Sequence, residues 1–196
     1  MLVATYYTDA RYKALADRML ESAKAVGLDG IGYEVANPSG DWKTGDGMKP
    51  AVVLRAVREH PNDSILFVDA DCYFHQYPKL LDEASHDYEM AAYYDTPKMV
   101  YSTVTWFRAG KGEQYAARWL EEWKKMPEKP NDVGALVSAI ENTLPRRVLH
   151  LPVSYCWCPE LDRHRFGPIR PVIEHFAVGE HSFGGNNYRK TKNSIY

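Results

Sequence analysis

The sequence predicts an α/β domain with a mixed, mainly parallel sheet flanked by helices. Three observations predict it. Short apolar runs alternate with stretches of helical periodicity through the first half of the chain. One run, Ser64-Ile65-Leu66-Phe67-Val68, is apolar on both faces, as a strand covered on both sides must be. The 196 residues, 45% hydrophobic and 13% aromatic, suffice for one sizeable core and leave little for a second. A single domain over residues 1–196 is expected, with a polar, basic tail from about residue 179.

Taken in order, Leu2 to Tyr7 is a first strand, with Asp9 placed to cap the helix that follows. Leu15, Met19, Ala23 and Val26 recur at helical spacing and Gly27 supplies the stop. Ile31 to Ala36 is a second strand. A turn-rich segment, NPSGDWKTGDG, then leads to a helix started by Pro50 that carries Val53, Leu54 and Val57 inward. The strand SILFVD comes next, and Pro78 opens a short helix, KLLDEA. Glu89 to Tyr94 and Tyr101 to Arg108 are further strands. Gly112 to Lys125 is a helix with Tyr115, Trp119 and Trp123 on one stripe. Asp132 caps another, whose core face is Val133, Leu136, Val137 and Ile140. Val148 to Val153 and Val172 to Ala177 close the series as strands, so antiparallel pairing is expected in the second half.

A net charge of −2 and a pI near 6.4 argue against a dedicated nucleic-acid binder or a polybasic membrane surface. No run has the length of a membrane span, and the first twenty residues lack the pattern of a signal peptide. Three cysteines cannot all pair within one chain, so a reducing, cytoplasmic setting is expected. Cys156-Trp157-Cys158 lacks zinc-ligand spacing and a second pair; buried thiols are the simpler reading. P-loop, dinucleotide and nucleophile-elbow patterns are absent.

The informative stretch is SILFVDADC, an apolar strand running into Asp69 and Asp71. On extended chain these acids face one way, about 7 Å apart at ~3.3 Å per residue. Ligands in open α/β sheets lie beyond the carboxyl ends of the strands, and two like charges held there call for a hard cation. The competing reading makes them turn or capping residues.

SILFVDADCYF, followed by a proline and a short helix, resembles the DXD signature of nucleotide-sugar glycosyltransferases with the GT-A, Rossmann-like fold. KPAVVLRAVREHP before it resembles the lysine-proline helix of the same run. Tyr101 to Arg108 looks like the strand before the acceptor side, NDVGALVSAI like a later acidic helix start, and VIEHFAVGEHS like the C-terminal histidine segment. Asp132-Val133 departs from the usual Asp-Gln or Asp-Glu pair, and the chain is short for the fold.

The resemblance implies a transferase moving a sugar from a nucleoside diphosphate donor, a UDP-sugar by preference, to an acceptor hydroxyl on a glycan, protein, small molecule or nucleic acid. It makes Asp69, Asp71 and His175 the ligands of Mn²⁺ or Mg²⁺, with His181 as fallback. Lys49, Asp69, Thr5, Tyr6 and Tyr7, with Thr8, would contact the donor, and Asp132 would serve as base or acceptor contact. Arg189, Lys190 and Lys192 in the tail would clamp the diphosphate or, with Tyr188 and Tyr196, grip a nucleic-acid acceptor. Each position also has an ordinary reading: core or rim histidine, solvated charge, half-buried strand aromatic, helix cap. Two other functions share the acidic pair, a magnesium-dependent nucleotidyltransferase or phosphohydrolase and a non-catalytic nucleotide-sugar-binding module.

Overall fold

The structure is a computed structural model that describes residues 1–37, 47–84, 86–96, 99–126 and 132–176. The turn-rich segment at 38–46 and the tail, with His181, Tyr188, Arg189, Lys190, Lys192 and Tyr196, lie outside the described residues. No helix among the described residues is long and apolar enough to cross a membrane.

Strand β1 (Leu2–Tyr7) leads into helix α1 (Ala10–Ala25), β2 (Asp29–Glu34), α2 (Lys49–Glu59) and β3 (Ile65–Val68). Asp9 caps α1, its extended backbone letting the carboxylate accept the Tyr12 N–H at 2.9 Å. Gly27 takes φ +91° just beyond the last turn, where a side chain would be strained. The Lys49-Pro50 start of α2 uses the fixed φ of proline at a position whose N–H has no helical partner anyway. There follow β4 (Cys72–Phe74), α3 (Lys79–Ala84), β5 (Met90–Thr96), β6 (Met99–Phe107), α4 (Glu113–Lys124), α5 (Asp132–Glu141), β7 (Val148–Leu151), α6 (Pro159–Phe166) and β8 (Ile173–His175). Neither β4 nor α6 is expected from the sequence.

Six strands form one sheet in the order β2-β1-β3-β6-β5-β7. β2, β1 and β3 are mutually parallel, β5 and β7 are parallel, and β6 is antiparallel to both of its neighbours. The carboxyl ends of β1, β3, β5 and β7 therefore share an edge with the amino end of β6. On one face α2, α4 and α5 bury Val53, Trp119 and Leu136 against Phe67; on the other, α1, α3 and β8 bury Met19, Leu81 and Ile173 near Leu66 and Trp106. Helices on both faces of a mixed, mainly parallel sheet are the architecture the sequence predicts.

The buried face of α5 differs from expectation. Asp132, Ala135, Leu136, Ala139 and Ile140 are buried, whereas Val133 and Val137 are only half-buried. Small residues on the inner face let the helix settle close to β6 and α4, which turns Asp132 inward. The indole N–H of Trp119 donates to the Asp132 carbonyl at 2.8 Å and ties α4 to the start of α5.

Candidate active site

β3 ends at Val68, and the two acids sit on the turn that follows, closed by the Cys72 N–H donating to the Asp69 carbonyl at 3.1 Å. This corrects the expected placement on extended chain about 7 Å apart: the turn-forming character of Asp-Ala-Asp wins over strand continuation. Asp69, Asp71 and His175 each offer a ligand atom, and these atoms all lie within 4.8 Å of one another.

His175 arrives from far downstream through an antiparallel ribbon in which Cys72 of β4 stands opposite His175 of β8. The Phe176 N–H donates to the Asp71 carbonyl at 3.0 Å and the His175 N–H to the Trp157 carbonyl at 2.8 Å. These bonds fix the imidazole with Nε2 3.4 Å from Asp71 Oδ1.

Lys49, the first residue of α2, reaches the same edge from the opposite face. Its Nζ lies 2.9 Å from Asp69 Oδ1 and 3.3 Å from Asp132 Oδ2, and donates to Ser102 Oγ at 3.1 Å. The Ser102 hydroxyl donates in turn to Asp132 Oδ2 at 2.6 Å. With only 6% of its side chain exposed, the ammonium is secured by these carboxylates rather than by water. The sequence reading names Lys49 and Asp132 separately; the structure joins them through Ser102, which it does not name. Nothing in YSTVTWF marks that serine, because a hydroxyl in an ordinary strand carries no pattern of its own.

Burial pushes the Asp69 carboxyl up to about 6, with Lys49 opposing the rise and Asp71 adding to it. For His175 burial alone pulls downward, but the charge of Asp71, its hydrogen bond and the charge of Asp69 outweigh it, and the imidazole is raised above its ordinary 6.5. Three carboxylates against one ammonium leave two uncompensated negative charges whenever His175 is neutral. Two carboxylates and an imidazole are a donor set that could hold a divalent first-row cation such as Mn²⁺. Lys49 already engages both oxygens of Asp69, yet a carboxylate has about four acceptor positions, so the ion pair leaves room.

Of the β1 candidates, Thr5 is buried with its Oγ1 lacking a hydrogen-bond partner, and the Tyr6 ring stacks 6.1 Å from Phe67. Tyr7 packs with Tyr12 and Leu15 against Ala70, between the two acids. Cys72, Cys156 and Cys158 are free and buried, and burial raises all three thiols, which keeps them protonated and inert.

No protein-family model and no curated protein matches the chain. Among solved structures it is similar to a glycosyltransferase involved in the glycosylation of the major capsid of PBCV-1, with a TM-score of 0.73 at 9% identity, over 98% of this chain and 97% of that one. At that identity the likeness is one of fold: the chain has the architecture of a glycosyltransferase.

Proposed function

We propose that the chain is a metal-dependent glycosyltransferase that moves a sugar from a nucleoside diphosphate sugar, UDP-linked by preference, to an acceptor hydroxyl. The observation that carries this reading is the excess of partly buried negative charge where Asp69, Asp71 and His175 converge at the strand ends. Asp69, Asp71 and His175 would hold a divalent cation, which would supply positive charge toward the departing diphosphate. Lys49 adds an ammonium to the same region and holds Asp69 and Asp132 in place. Tyr7, beside Ala70, offers an aromatic face for the nucleoside.

In the reaction the bond from the anomeric carbon to the diphosphate oxygen breaks, and its electron pair leaves with the nucleoside diphosphate. A bond forms between the acceptor oxygen and that carbon. The acceptor proton passes to a base, and Asp132 is our choice for an inverting reaction; in a retaining one it orients substrate instead.

A thermal-shift panel of nucleoside diphosphates and their sugars, with and without Mn²⁺, tests the reading. UDP with Mn²⁺ is expected to raise the melting temperature more than either alone, and Asp71→Asn to abolish the joint effect. No nucleotide response at all, or a UDP response indifferent to Mn²⁺ and to Asp71→Asn, overturns it. Product analysis with the stabilising nucleotide sugar separates transfer from phosphohydrolase chemistry and from binding without turnover.

A further inference from the structure

A second depression opens on the other side of β6 from the acidic cluster. It encloses about 400 Å³ between α5, the end of β5 and the edge strand β7. Its floor is aromatic: the rings of Tyr94 and His150 stack with centroids 3.8 Å apart and 14° between planes. The stack follows from register, because Ala92 pairs with His150 and sets that ring on the same face as Tyr94 two residues on. Val137 and Ile140 of α5 make an apolar wall, and Glu141 and Arg146 stand at the rim.

The chemistry narrows the occupant. The volume lies near the lower end of small-molecule pockets, roughly 300–1,000 Å³, which suits a short ligand rather than an extended chain. Charge is nearly balanced: Arg165 pairs with the lining Asp95, and the lining Glu141 and Arg146 carry opposite charges, the guanidinium donating to the Glu141 backbone carbonyl at 3.4 Å. With Asp95 taken by Arg165 and Glu141 set against Arg146, no surplus of positive charge is left for a diphosphate, and a neutral ligand fits. Stacked rings and aliphatic walls accept the C–H face of a pyranose, while a carboxylate and a guanidinium at the rim satisfy its hydroxyls.

A further feature points the same way: the cavity is coupled to the acidic cluster, since α5 presents Asp132 to the cluster and Val137, Ile140 and Glu141 to the cavity. β5 lies two strand spacings from β3, about 10 Å, within reach of a ligand of one or two rings.

We propose that this cavity is the subsite for a neutral acceptor saccharide, an assignment that rests on the glycosyltransferase reading for its role. The test is an array of defined neutral mono- and disaccharides probed with the full chain, with and without UDP and Mn²⁺. Wild type is expected to be retained on a subset of the saccharides. His150→Ala and Glu141→Ala should each lose about tenfold in retention, while the UDP–Mn²⁺ thermal response stays at the wild-type level. No retention of wild type under either condition overturns the proposal, as does equal retention of the variants. Retention that His150→Ala abolishes in a protein showing no nucleotide response upholds a saccharide site and sinks the glycosyltransferase reading instead.

Discussion

Protonated His175 pairs with Asp71, while a metal ion held there would need the same imidazole neutral, so protons and a cation would compete at one site. The raised imidazole contributes stability that is fully present below its unfolded value of about 6.5 and is lost as pH rises through the higher folded value. Asp69, raised from 3.8 to about 6, adds the same sign lower down, favouring the fold while protonated and withdrawing that support as it ionises. Affinity for a metal ion at His175 would run the other way. From about pH 6 to 8 the metal-free melting temperature should fall relative to His175→Gln, and the increment produced by Mn²⁺ should grow. Melting curves at stepped pH with and without Mn²⁺ measure both; an increment constant across that window removes His175 from the ligand set. The identities of these residues were legible because acids at a strand end, a lysine before a proline and a histidine in an apolar segment are locally unusual. Their spacing was not, since it depends on a turn and on a partner strand far away in sequence.

At the scale of elements, β8 was legible as a strand within Val172 to Ala177, but its partner β4 was not, because a strand of three residues has no period to detect, and it is their pairing that carries His175 to Asp71. Helix α5 was legible in position but not in rotation. The larger residues Val133 and Val137 suggested one face, whereas close packing through Ala135 and Ala139 selected another and buried Asp132. That rotation makes Asp132 more than a helix start: its carboxylate is held by Ser102 and Lys49. Asp132→Asn keeps the shape and an acceptor for Ser102 but loses its charge against Lys49, so a loss of about 1–2 kcal/mol in stability is expected. If Asp132 is the base, transfer should fall by two orders of magnitude or more, within the ~10²–10⁴ range of general-base catalysis, with UDP–Mn²⁺ affinity near wild type. Melting temperature, donor affinity and transfer rate belong on one preparation. Wild-type transfer by Asp132→Asn would confine the residue to holding Lys49.

For the whole molecule, the pattern of strands and helices reveals the layers and antiparallel pairing in the second half, but not strand order or which strand is reversed, which come from long-range pairing with no local signature. Lys49 is where these long-range decisions meet. It stands at the start of α2 and joins the turn after β3, Ser102 of β6 and Asp132 of α5, so one ammonium links the parallel half of the sheet to the rest. Its loss leaves three carboxylates facing one another in a largely dry setting. Removing one partner of a buried pair costs about 3–5 kcal/mol. For a chain of this length Lys49→Met should therefore melt lower by roughly 10 °C in the metal-free state. A bound divalent cation would replace part of the missing charge beside Asp69, so Mn²⁺ should stabilise Lys49→Met by more degrees than it stabilises wild type. Melting of both proteins across a Mn²⁺ titration decides the point. A larger metal increment in the variant identifies the cluster as a cation site that lysine partly neutralises, and an increment absent from both proteins would leave Lys49 as the charge that closes the sheet edge.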